Sequence, residues 1–343
     1  MHEAPPRQRS GVRIQISYAA AVSSLRSSGR GPRELRLVDL GGPDPAVIDD
    51  RGAAPGTSMI LVIGATGTVG SPLIQELVSR GADIRAFVRD SAAARARLGT
   101  RIALAEGDLA EAETIQRALR GVASVFLACA NGPRQVEFET NAIEAAAAAG
   151  ISRVVKLSAA LAAVGSPLEV ADWNARIEQV LWASGCPAVV LRPGFYMSNV
   201  LTGADEVRRC DKLRAPAGNA RIAMIDPRDV AAVAAVALTE PVEDGVTHAL
   251  TGPEAISYEQ IAHCLSEVTG RKVEFVDTSD DAARINFAAA GMPQWMVEHL
   301  VRLFEMLRAG VAVETTDTVR TLTGRDPRTF PEFAHHHAAA FSR

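Results

Sequence analysis

The chain has 343 residues, of which 48% are hydrophobic and 22% charged, enough to bury a large core as one domain or as two intimately joined ones. Its formal net charge of −4 gives no overall basic surface, so direct binding to nucleic acid is not expected. Four scattered cysteines without C-x-x-C spacing argue against a zinc site or a disulfide framework, no apolar run is long enough to span a bilayer, and a cytoplasmic location is therefore expected.

The first 58 residues differ in composition from the rest of the chain. Arginine and serine are frequent there, and residues 41–56 are rich in glycine, proline and aspartate without a helical or strand period. Disorder is the simplest interpretation, and an arginine- and serine-rich start that is poor in acids is also typical of a targeting peptide. A third interpretation, which we favour, is that translation begins at Met59 and that the upstream segment is an extension of the gene prediction.

Residues 60–89 carry the most informative pattern of the sequence. The apolar run 60–63 predicts a strand, the apolar spacing over residues 69–78 predicts a helix, and residues 84–88 predict a second strand. The order strand, glycine turn, helix, strand is that of a βαβ unit.

The turn at residues 64–70 reads GATGTVG and indicates a nucleotide-binding site. Gly64 permits a sharp turn out of the strand, Gly67 has no side chain to block a pyrophosphate, and Gly70 lets the helix approach the sheet. The phosphates would then face the unpaired N–H groups and the positive dipole end of the helix. We favour this interpretation over a purely structural turn because strand and helix flank the glycines correctly.

The residue after the second strand discriminates between the pyridine dinucleotides. An acid in this position would hydrogen-bond the adenosine ribose and select NAD(H), whereas Arg89 offers a fixed fork of donors to a 2′-phosphate. Arg89 therefore predicts NADP(H) in preference to NAD(H). Two alternatives stay open: Arg89 is only a solvated charge at a strand end, or the adjacent Asp90 serves NAD(H).

Strand and helix patterns then alternate up to residue 192, which predicts an α/β fold with a Rossmann-type, doubly wound parallel sheet. Further strands are predicted at residues 102–105, 122–128, 153–158 and 188–192. Ligands of such sheets bind at the carboxyl ends of the strands. The candidate cofactor-binding residues follow the predicted strands and are Gly64, Thr66, Gly67, Thr68, Val69, Gly70, Arg89, Asp108, Leu109, Ala128, Ala130, Ser158, Pro193, Gly194 and Phe195.

The pattern becomes irregular beyond Pro193. A helix is predicted over residues 226–238, a capping box at Ser257 opens another, and residues 293–310 predict a third. The predicted division of the chain has three parts: residues 1–58, a dinucleotide-binding core of residues 59–193 to which 222–251 returns, and a smaller, mostly helical substrate-side lobe of residues 194–221 and 252–343.

Several motifs in order resemble a known family. The segments GATGTVG, FVRD, GDL, VVKLSA, NARIEQVLWASG, LRPGFYMSN, IDPRDVAAV and LTGPEAISYEQIA are similar to those of the NmrA-like, atypical branch of the short-chain dehydrogenase/reductase superfamily. The resemblance runs from about Met59 almost to the C-terminus and implies an NAD(P)-binding Rossmann fold with a small C-terminal lobe. That family includes NADPH-dependent quinone, azo-dye and triphenylmethane reductases and also regulators that bind the dinucleotide without turning it over.

The chain lacks the acid pair that the resemblance would lead one to expect. Most reductases of the superfamily carry Tyr-x-x-x-Lys on the helix after the fifth strand, where the lysine helps the tyrosine to donate a proton to a carbonyl. Val170 and Asn174 occupy the two positions here, and the histidine that relatives often carry in place of Asn174 is also missing. We therefore expect a reaction that relies on positioning the nicotinamide against an acceptor that is already electrophilic.

Three residues near the predicted strand ends are candidates for assisting catalysis. Ser158 could hydrogen-bond a substrate oxygen or, equally, tie down its own loop. Lys156 could contact cofactor or substrate, although neutralising a neighbouring acid is the favoured role. Tyr196 could act as an acid or a clamp, although a place in an aromatic wall is favoured.

Further residues are predicted to line the substrate cleft. Trp173 and Asn174 lie on the helix after the fifth strand, Trp295 lies on the predicted helix 293–310, and Asn199 either binds a polar substrate group or caps a helix. No metal site is expected, because the adjacent histidines 335–337 would point in different directions and have no acid cluster beside them.

These patterns together predict an NADP(H)-dependent oxidoreductase that transfers hydride to a conjugated or aromatic small molecule, such as a quinone or a secondary metabolite. We expect a monomer or homodimer without a nucleic-acid or membrane partner. Two alternatives stay open. One is a non-catalytic regulator that senses NAD(P), and the other is a non-redox enzyme that performs a cyclisation or rearrangement on the same fold.

Overall fold

The computed structural model describes residues 59–343, and the predictions made for residues 1–58 lie outside this range. The strands are β1 (Met59–Ile63), β2 (Ile84–Val88), β3 (Ala103–Glu106), β4 (Val122–Leu127), β5 (Arg153–Leu157), β6 (Ala188–Pro193), β7 (Lys212–Ala215), β8 (Arg221–Ile222), β9 (Val246–Leu250), β10 (Ile256–Ser257) and β11 (Glu274–Asp277). The helices are α1 (Gly70–Ser79), α2 (Ser91–Leu98), α3 (Ala112–Ala118), α4 (Gln135–Ala148), α5 (Glu169–Ala183), α6 (Ala204–Cys210), α7 (Pro227–Thr239), α8 (Tyr258–Thr269), α9 (Asp280–Ala289), α10 (Gln294–Arg308), α11 (Thr318–Thr323), α12 (Phe330–His336) and α13 (Ala338–Phe341).

Seven strands form one parallel sheet in the order β3-β2-β1-β4-β5-β6-β9. β1 pairs with β2 on one side and with β4 on the other, so the direction of winding reverses between β1 and β4. This reversal leaves a crevice at the carboxyl ends of the two strands, where ligands of such sheets bind. The predicted α/β fold with a doubly wound parallel sheet is confirmed.

Helices cover both faces of the sheet, which explains why its inner strands are almost continuously apolar. On one face α1 and α7 pack together, and the alanine-rich sequence of α7 allows this close approach. On the other face α3, α4 and α5 bury residues such as Ile115, Ile143 and Ile177 against the sheet. Within residues 59–343, no helix has both the length and the apolar character needed to cross a membrane.

The second layer of the molecule is a lobe with its own hydrophobic core. β7 pairs with β11, β8 pairs with β10, and helices α6, α8 and α12 bury a cluster around Val207, Ile261 and Phe333. The predicted capping box opens α8: Ser257 N donates to Gln260 Oε1 over 2.9 Å, and Gln260 N donates to Ser257 Oγ over 3.2 Å. This box was predicted correctly from the spacing of the two residues.

The chain crosses between core and lobe more than once. α7 and β9 belong to the core, and α11 also packs against α7 through Val319, although the sequence division assigns that segment to the lobe. Arg328, just before α12, donates its backbone N–H to Asp229 Oδ2 over 2.8 Å and pairs with the same carboxylate through its guanidinium. The C-terminal segment is thus tied to the first turn of α7.

Candidate functional site

The glycine turn after β1 lies in the crevice between β1 and β4. Gly64 has a φ of +83°, and a Cβ on it would lie 2.6 Å from the carbonyl oxygen of Ala128, so only glycine fits this position. Gly67 N donates to Gly64 O over 2.9 Å, and Ser71 N donates to Gly67 O over 3.0 Å. The turn is therefore closed by its own backbone and pressed against the carboxyl end of β4.

The turn places the N-terminus of α1, which has no side-chain cap, at the crevice. Val69 is the N-cap residue of α1, it makes no side-chain hydrogen bond, and the first turn contains no acidic residue. A Cβ on Gly70 would overlap the backbone of Gly64, which explains the third glycine. The positive end of the helix dipole and the free space above Gly67 fit the diphosphate of a dinucleotide.

At the end of β2 the two charged residues have different environments. Asp90 Oδ1 accepts the backbone N–H of Ala93 over 2.9 Å and thereby caps α2. Arg89 is exposed and forms no ion pair with any residue of the range 59–343. The Asp90 carboxylate is thus engaged in the fold, whereas the Arg89 guanidinium is available to an anion at the crevice.

The loops after β3 and β4 form the sides of the crevice. Asp108 and Leu109 are held by α3 and α4: Thr114 Oγ1 donates to Asp108 O over 2.9 Å, and Asn141 Nδ2 donates to Leu109 O over 2.8 Å. After β4 come Ala128, Cys129 and Ala130, whose small side chains leave room for a ligand. Burial, with a smaller contribution from the charge of Glu139, raises the pKa of Cys129 to about 12, so this thiol stays protonated at neutral pH.

Ser158, at the end of β5, belongs to an ionic cluster in which Ser158 and Glu178 are buried and Arg192 is partly exposed. Its hydroxyl donates to Glu178 Oε1, and Arg192 at the end of β6 donates Nε to the same atom over 2.9 Å and Nη2 to Oε2. The hydrogen bonds that Arg192 donates to the Glu178 carboxylate raise the pKa of Arg192. The Ser158 hydroxyl therefore connects β5 to α5, which supports the structural alternative for this residue.

Lys156 lies in a second buried cluster and is completely shielded from solvent. Its Nζ lies 2.7 Å from Glu139 Oε2, donates to Asn174 Oδ1 over 3.0 Å and also donates to the carbonyl of Leu157. Gln135 Nε2 donates to the other carboxylate oxygen of Glu139 over 3.0 Å. Lys156 thus faces a buried acid, which agrees with the favoured interpretation that it neutralises a neighbouring carboxylate.

Asn174 was predicted to line the substrate cleft, and the structure contradicts this. Its side chain is 2% exposed, its Oδ1 accepts from Lys156, and its Nδ2 donates to the carbonyl of Val170 over 2.9 Å. Both ends of the amide are directed into the buried cluster because this side of α5 packs on the sheet. Asn174, at the sequence position where the resemblance implies a lysine, is thus bound to Lys156 of β5.

The segment after β6 leads from the sheet into the lobe. Gly194 N donates to Leu250 O over 2.8 Å, which fixes the backbone beside Pro193. The Phe195 side chain is buried in the lobe and meets Phe304 edge to face with the ring centroids 6.1 Å apart. Only the backbone of Phe195 is therefore placed to contact a cofactor.

Tyr196 and Asn199 begin the connection to α6. Tyr196 forms a parallel bridge with Ile225 and packs partly buried against the sheet cluster. Asn199 lies inside a 3₁₀ helix over Met197–Gly203 whose N-cap residue is Tyr196. The alternative that Asn199 caps a helix is wrong, because neither this helix nor α6 has a side-chain cap.

The two predicted aromatic lining residues meet where core and lobe touch. The rings of Trp173 on α5 and Trp295 on α10 have centroids 5.1 Å apart at an interplanar angle of 58°. Both side chains are half-buried. The two rings form an apolar wall. Trp173 is adjacent to Asn174 on α5, and Trp295 faces it from α10.

Three charged residues that bind the predicted site residues were not recognised as their partners from the sequence. They are Glu139, which pairs with Lys156, and Glu178 and Arg192, which form the cluster with Ser158. The signal for Glu178 was present, because it lies four residues after Asn174 and on the same helix face as Val170 and Leu181. A polar residue on an otherwise apolar face indicates a buried partner.

Within residues 59–343, no group of three His, Cys, Asp or Glu side chains is arranged to hold a metal ion.

A family model, described as the NmrA-like family, matches residues 56–334. The chain belongs to the NmrA-like family. The resemblance drawn from the motifs is thus confirmed over most of the chain.

Several named relatives of this NmrA-like protein are reductases. An NAD(P)H azoreductase of Xenophilus azovorans is 36% identical over 283 residues, which cover 82% of this chain and 99% of the relative. A (4-alkanoyl-5-oxo-2,5-dihydrofuran-3-yl)methyl phosphate reductase of Streptomyces griseus is 38% identical over 288 residues, covering 83% and 99%. A crystal structure of an NADPH-dependent quinone oxidoreductase of Escherichia coli complexed with NADPH has a TM-score of 0.74 and 28% identity, covering 81% of this chain and 99% of that one.

Proposed function

We propose that this protein is an NADP(H)-dependent oxidoreductase that transfers hydride to a conjugated or aromatic small molecule. The observation that carries the proposal is the glycine turn and uncapped start of α1 in the crevice between β1 and β4. The names of the relatives support it, because they act with NAD(P)H or NADPH on azo compounds and quinones. When bound, the dinucleotide would supply the hydride.

The chain's own residues would hold the diphosphate and the adenosine half of the cofactor. The backbone of residues 64–70 would bind the diphosphate, and Arg89 would bind the 2′-phosphate through charge-assisted hydrogen bonds. The helix cap made by Asp90 supports NADP(H) over NAD(H), because the carboxylate that would serve an unphosphorylated ribose is already engaged.

The choice of acceptor follows from what the site lacks. The polar side chains nearest to the expected proton donor position, Ser158, Lys156 and Asn174, all bind other protein groups. None of them is free to protonate a carbonyl during hydride transfer, so simple ketones should be poor acceptors. A quinone or an extended enone spreads the developing negative charge over its own conjugated system. Trp173 and Trp295 would offer such a planar molecule an apolar surface.

Steady-state kinetics with NADPH and NADH would test the proposal. The wild-type protein should oxidise NADPH in the presence of quinones and fail with unconjugated ketones. Arg89→Ala should raise the KM for NADPH roughly 10- to 100-fold, because charge-assisted hydrogen bonds contribute about 1.5–3 kcal/mol, and leave the KM for NADH unchanged. Arg117→Ala, an equal charge change at an exposed position of α3, is the control. Equal effects of Arg89→Ala on both dinucleotides would contradict its role in selecting NADP(H).

The second candidate function is a regulator that binds the dinucleotide without turning it over. The observation that favours it is the same one that restricts the acceptor, namely that the residues in place of the acid pair are buried and bound to each other. Calorimetry decides between the two: unequal affinities for NADPH and NADP⁺ without turnover of any quinone would support the regulator.

We further infer a reducing, cytoplasmic location from the four unpaired cysteines, and we infer that the protein is a monomer or a homodimer.

A further inference from the structure

Core and lobe touch through one face of α5 and one face of α10. Glu169 and Trp173 lie four residues apart on α5, and Trp295 and His299 lie four residues apart on α10. Trp173 meets Trp295, and Glu169 meets His299, with Oε2 and Nδ1 3.4 Å apart. The two helices therefore run antiparallel at this contact, and each contributes one aromatic and one ionisable side chain.

The first half of α10 is packed separately from the rest of the lobe. Together with α9 it buries its own small cluster, which includes Phe287, Met296 and Leu300. The second half of α10, with Phe304 and Leu307, belongs instead to the main lobe core. The N-terminal half of α10, together with α9, can therefore move away from α5 by pivoting on the second half of α10, which stays in the lobe core.

The ionisable pair at this contact joins a buried histidine to a half-exposed glutamate. His299 is 5% exposed, and neither its Nδ1 nor Oε2 of Glu169 has a hydrogen-bond partner among the described residues. Their separation is longer than that of a good N–H···O bond. A charge on His299 would lie on an almost fully buried ring, and the facing carboxylate is too distant to compensate for the lost hydration through a good hydrogen bond, so burial opposes the charged form.

We propose that Glu169 and His299 are positioning residues of the substrate cleft: neutral His299 keeps α10 docked on α5 with Trp295 against Trp173, and protonated His299 releases this contact. The expected effect of this release on substrate binding rests on the proposed reductase function. The release itself does not.

The direction of the effect follows from the environment of His299. Burial lowers its pKa from the ordinary value of 6.5, and the negative charge of Glu169 opposes this without cancelling it. Protonated His299 is thus less stable in the docked position than in water, so protonation shifts the equilibrium toward release. The docked contact is most stable above the ordinary histidine pKa and is lost as the pH falls through the lowered pKa.

The other charged groups around the contact have partners of their own. On α5, Asp172 Oδ2 lies 3.8 Å from Arg176, and on α9, Arg284 pairs with Asp281 and with Glu298 of α10. On β8, which α10 also contacts, Arg221 donates to the carbonyl of Ala255 over 2.7 Å. Glu169 is therefore the charged group that acts on His299.

Circular dichroism of the full chain tests the release without cofactor or substrate. Two indoles in contact couple their transitions and give a paired signal, and Trp182→Phe removes the background of the exposed third tryptophan. Loss of the signal in Trp295→Phe would assign it to the pair. We expect it to weaken as the pH is lowered from about 8 to about 5, the range in which histidine titrates.

Two variants fix the assignment to His299. His299→Gln is uncharged at every pH, so its paired signal should not change with pH. Glu169→Gln removes the opposing charge, so the transition should move to lower pH. His263→Gln is the matched control, because His263 forms a similar pair with Glu267, Nε2 to Oε1 3.6 Å, in an exposed position. It should behave as the wild type.

The inference is overturned if the paired signal strengthens on acidification, if it stays constant in the wild type, or if its transition persists in His299→Gln. Should His299→Gln not fold, the direction of the shift in Glu169→Gln decides alone. With a quinone acceptor, KM should rise roughly two- to tenfold across the same transition, as expected for the loss of one aromatic contact, with kcat changing less. A pH-dependent signal in a protein that reduces no quinone would retain the positioning role and refute the proposed function only.

Discussion

Replacing Lys156 by methionine should destabilise the protein more than most single substitutions. The side chains of Lys156 and Glu139 are both completely buried, with Nζ and Oε2 2.7 Å apart. Lys156→Met would leave the Glu139 carboxylate with Gln135 as its remaining hydrogen-bond partner in this cluster. Removing one member of a buried ion pair costs about 3–5 kcal/mol, so we expect the free energy of unfolding to fall by about that amount.

The double variant Glu139→Gln/Lys156→Met is the matched control. It removes both charges, and the new amide can still accept the hydrogen bond from Gln135. Since neutral replacement of a buried ion pair is often without net cost, the double variant should recover most of the loss. Urea unfolding of the wild type, both single variants and the double variant closes a double-mutant cycle, and the coupling energy is the quantity to measure.

Two results would refute this account of Lys156. One is a single variant within about 1 kcal/mol of the wild type, which would mean that the buried charge is not stabilised by Lys156. The other is a double variant no more stable than Lys156→Met. The same proteins also test the catalytic alternative, because a double variant with recovered stability and wild-type kcat would assign Lys156 to structure alone.

Three further changes follow from single contacts. Gly67→Val places a Cβ 3.1 Å from Gly64 O and a side chain over the turn, so calorimetry should show dinucleotide affinity reduced at least tenfold while the unfolding midpoint hardly changes; unchanged affinity would place the phosphates elsewhere. Because burial raises its pKa to about 12, Cys129 should be alkylated far more slowly than exposed Cys210 at mildly alkaline pH, as peptide mass spectrometry can show; equal rates would contradict its burial. Ser257→Ala removes the cap of α8 and should lower the free energy of unfolding by about 1 kcal/mol, whereas Ser257→Gly should cost less; equal losses would argue against the capping bond.

The sequence predicts the sheet well because its strands are short apolar runs with clear stops. The first strand, the glycine turn and the helix after it lie within a residue or two of their predicted bounds, and so does β6 at Ala188–Pro193. The small sheets of the lobe were not predicted. β7 pairs with β11, which lies some sixty residues further along the chain, and both strands are only four residues long with partly exposed side chains. Such strands carry no period that distinguishes them from loops.

The sequence predicted where the site residues lie along the strands better than it predicted which side chains they bind. Strand ends identified Ser158 and Lys156, but their acids lie on α4 and α5 and are brought to them only by packing. Asn174 illustrates the physical reason. Its place on α5 was read correctly, yet a rotation of the helix by less than half a turn decides whether its amide faces the cleft or the sheet. That rotation is set by the apolar residues of α5 and by Lys156, and no local pattern reports it.

The buried clusters also determine where pH can act on this protein. A tyrosine and lysine pair would make kcat depend on the ionisation of the tyrosine, because the proton is delivered in the same step as the hydride. Here the corresponding positions hold Val170 and Asn174, and Asn174 is bound to a lysine that is itself neutralised by Glu139. The proton for a reduced quinone can then come from water after hydride transfer, since the conjugated anion survives long enough to be protonated. Between about pH 5 and 8, kcat should accordingly vary little, and the pH dependence should fall on acceptor binding through His299.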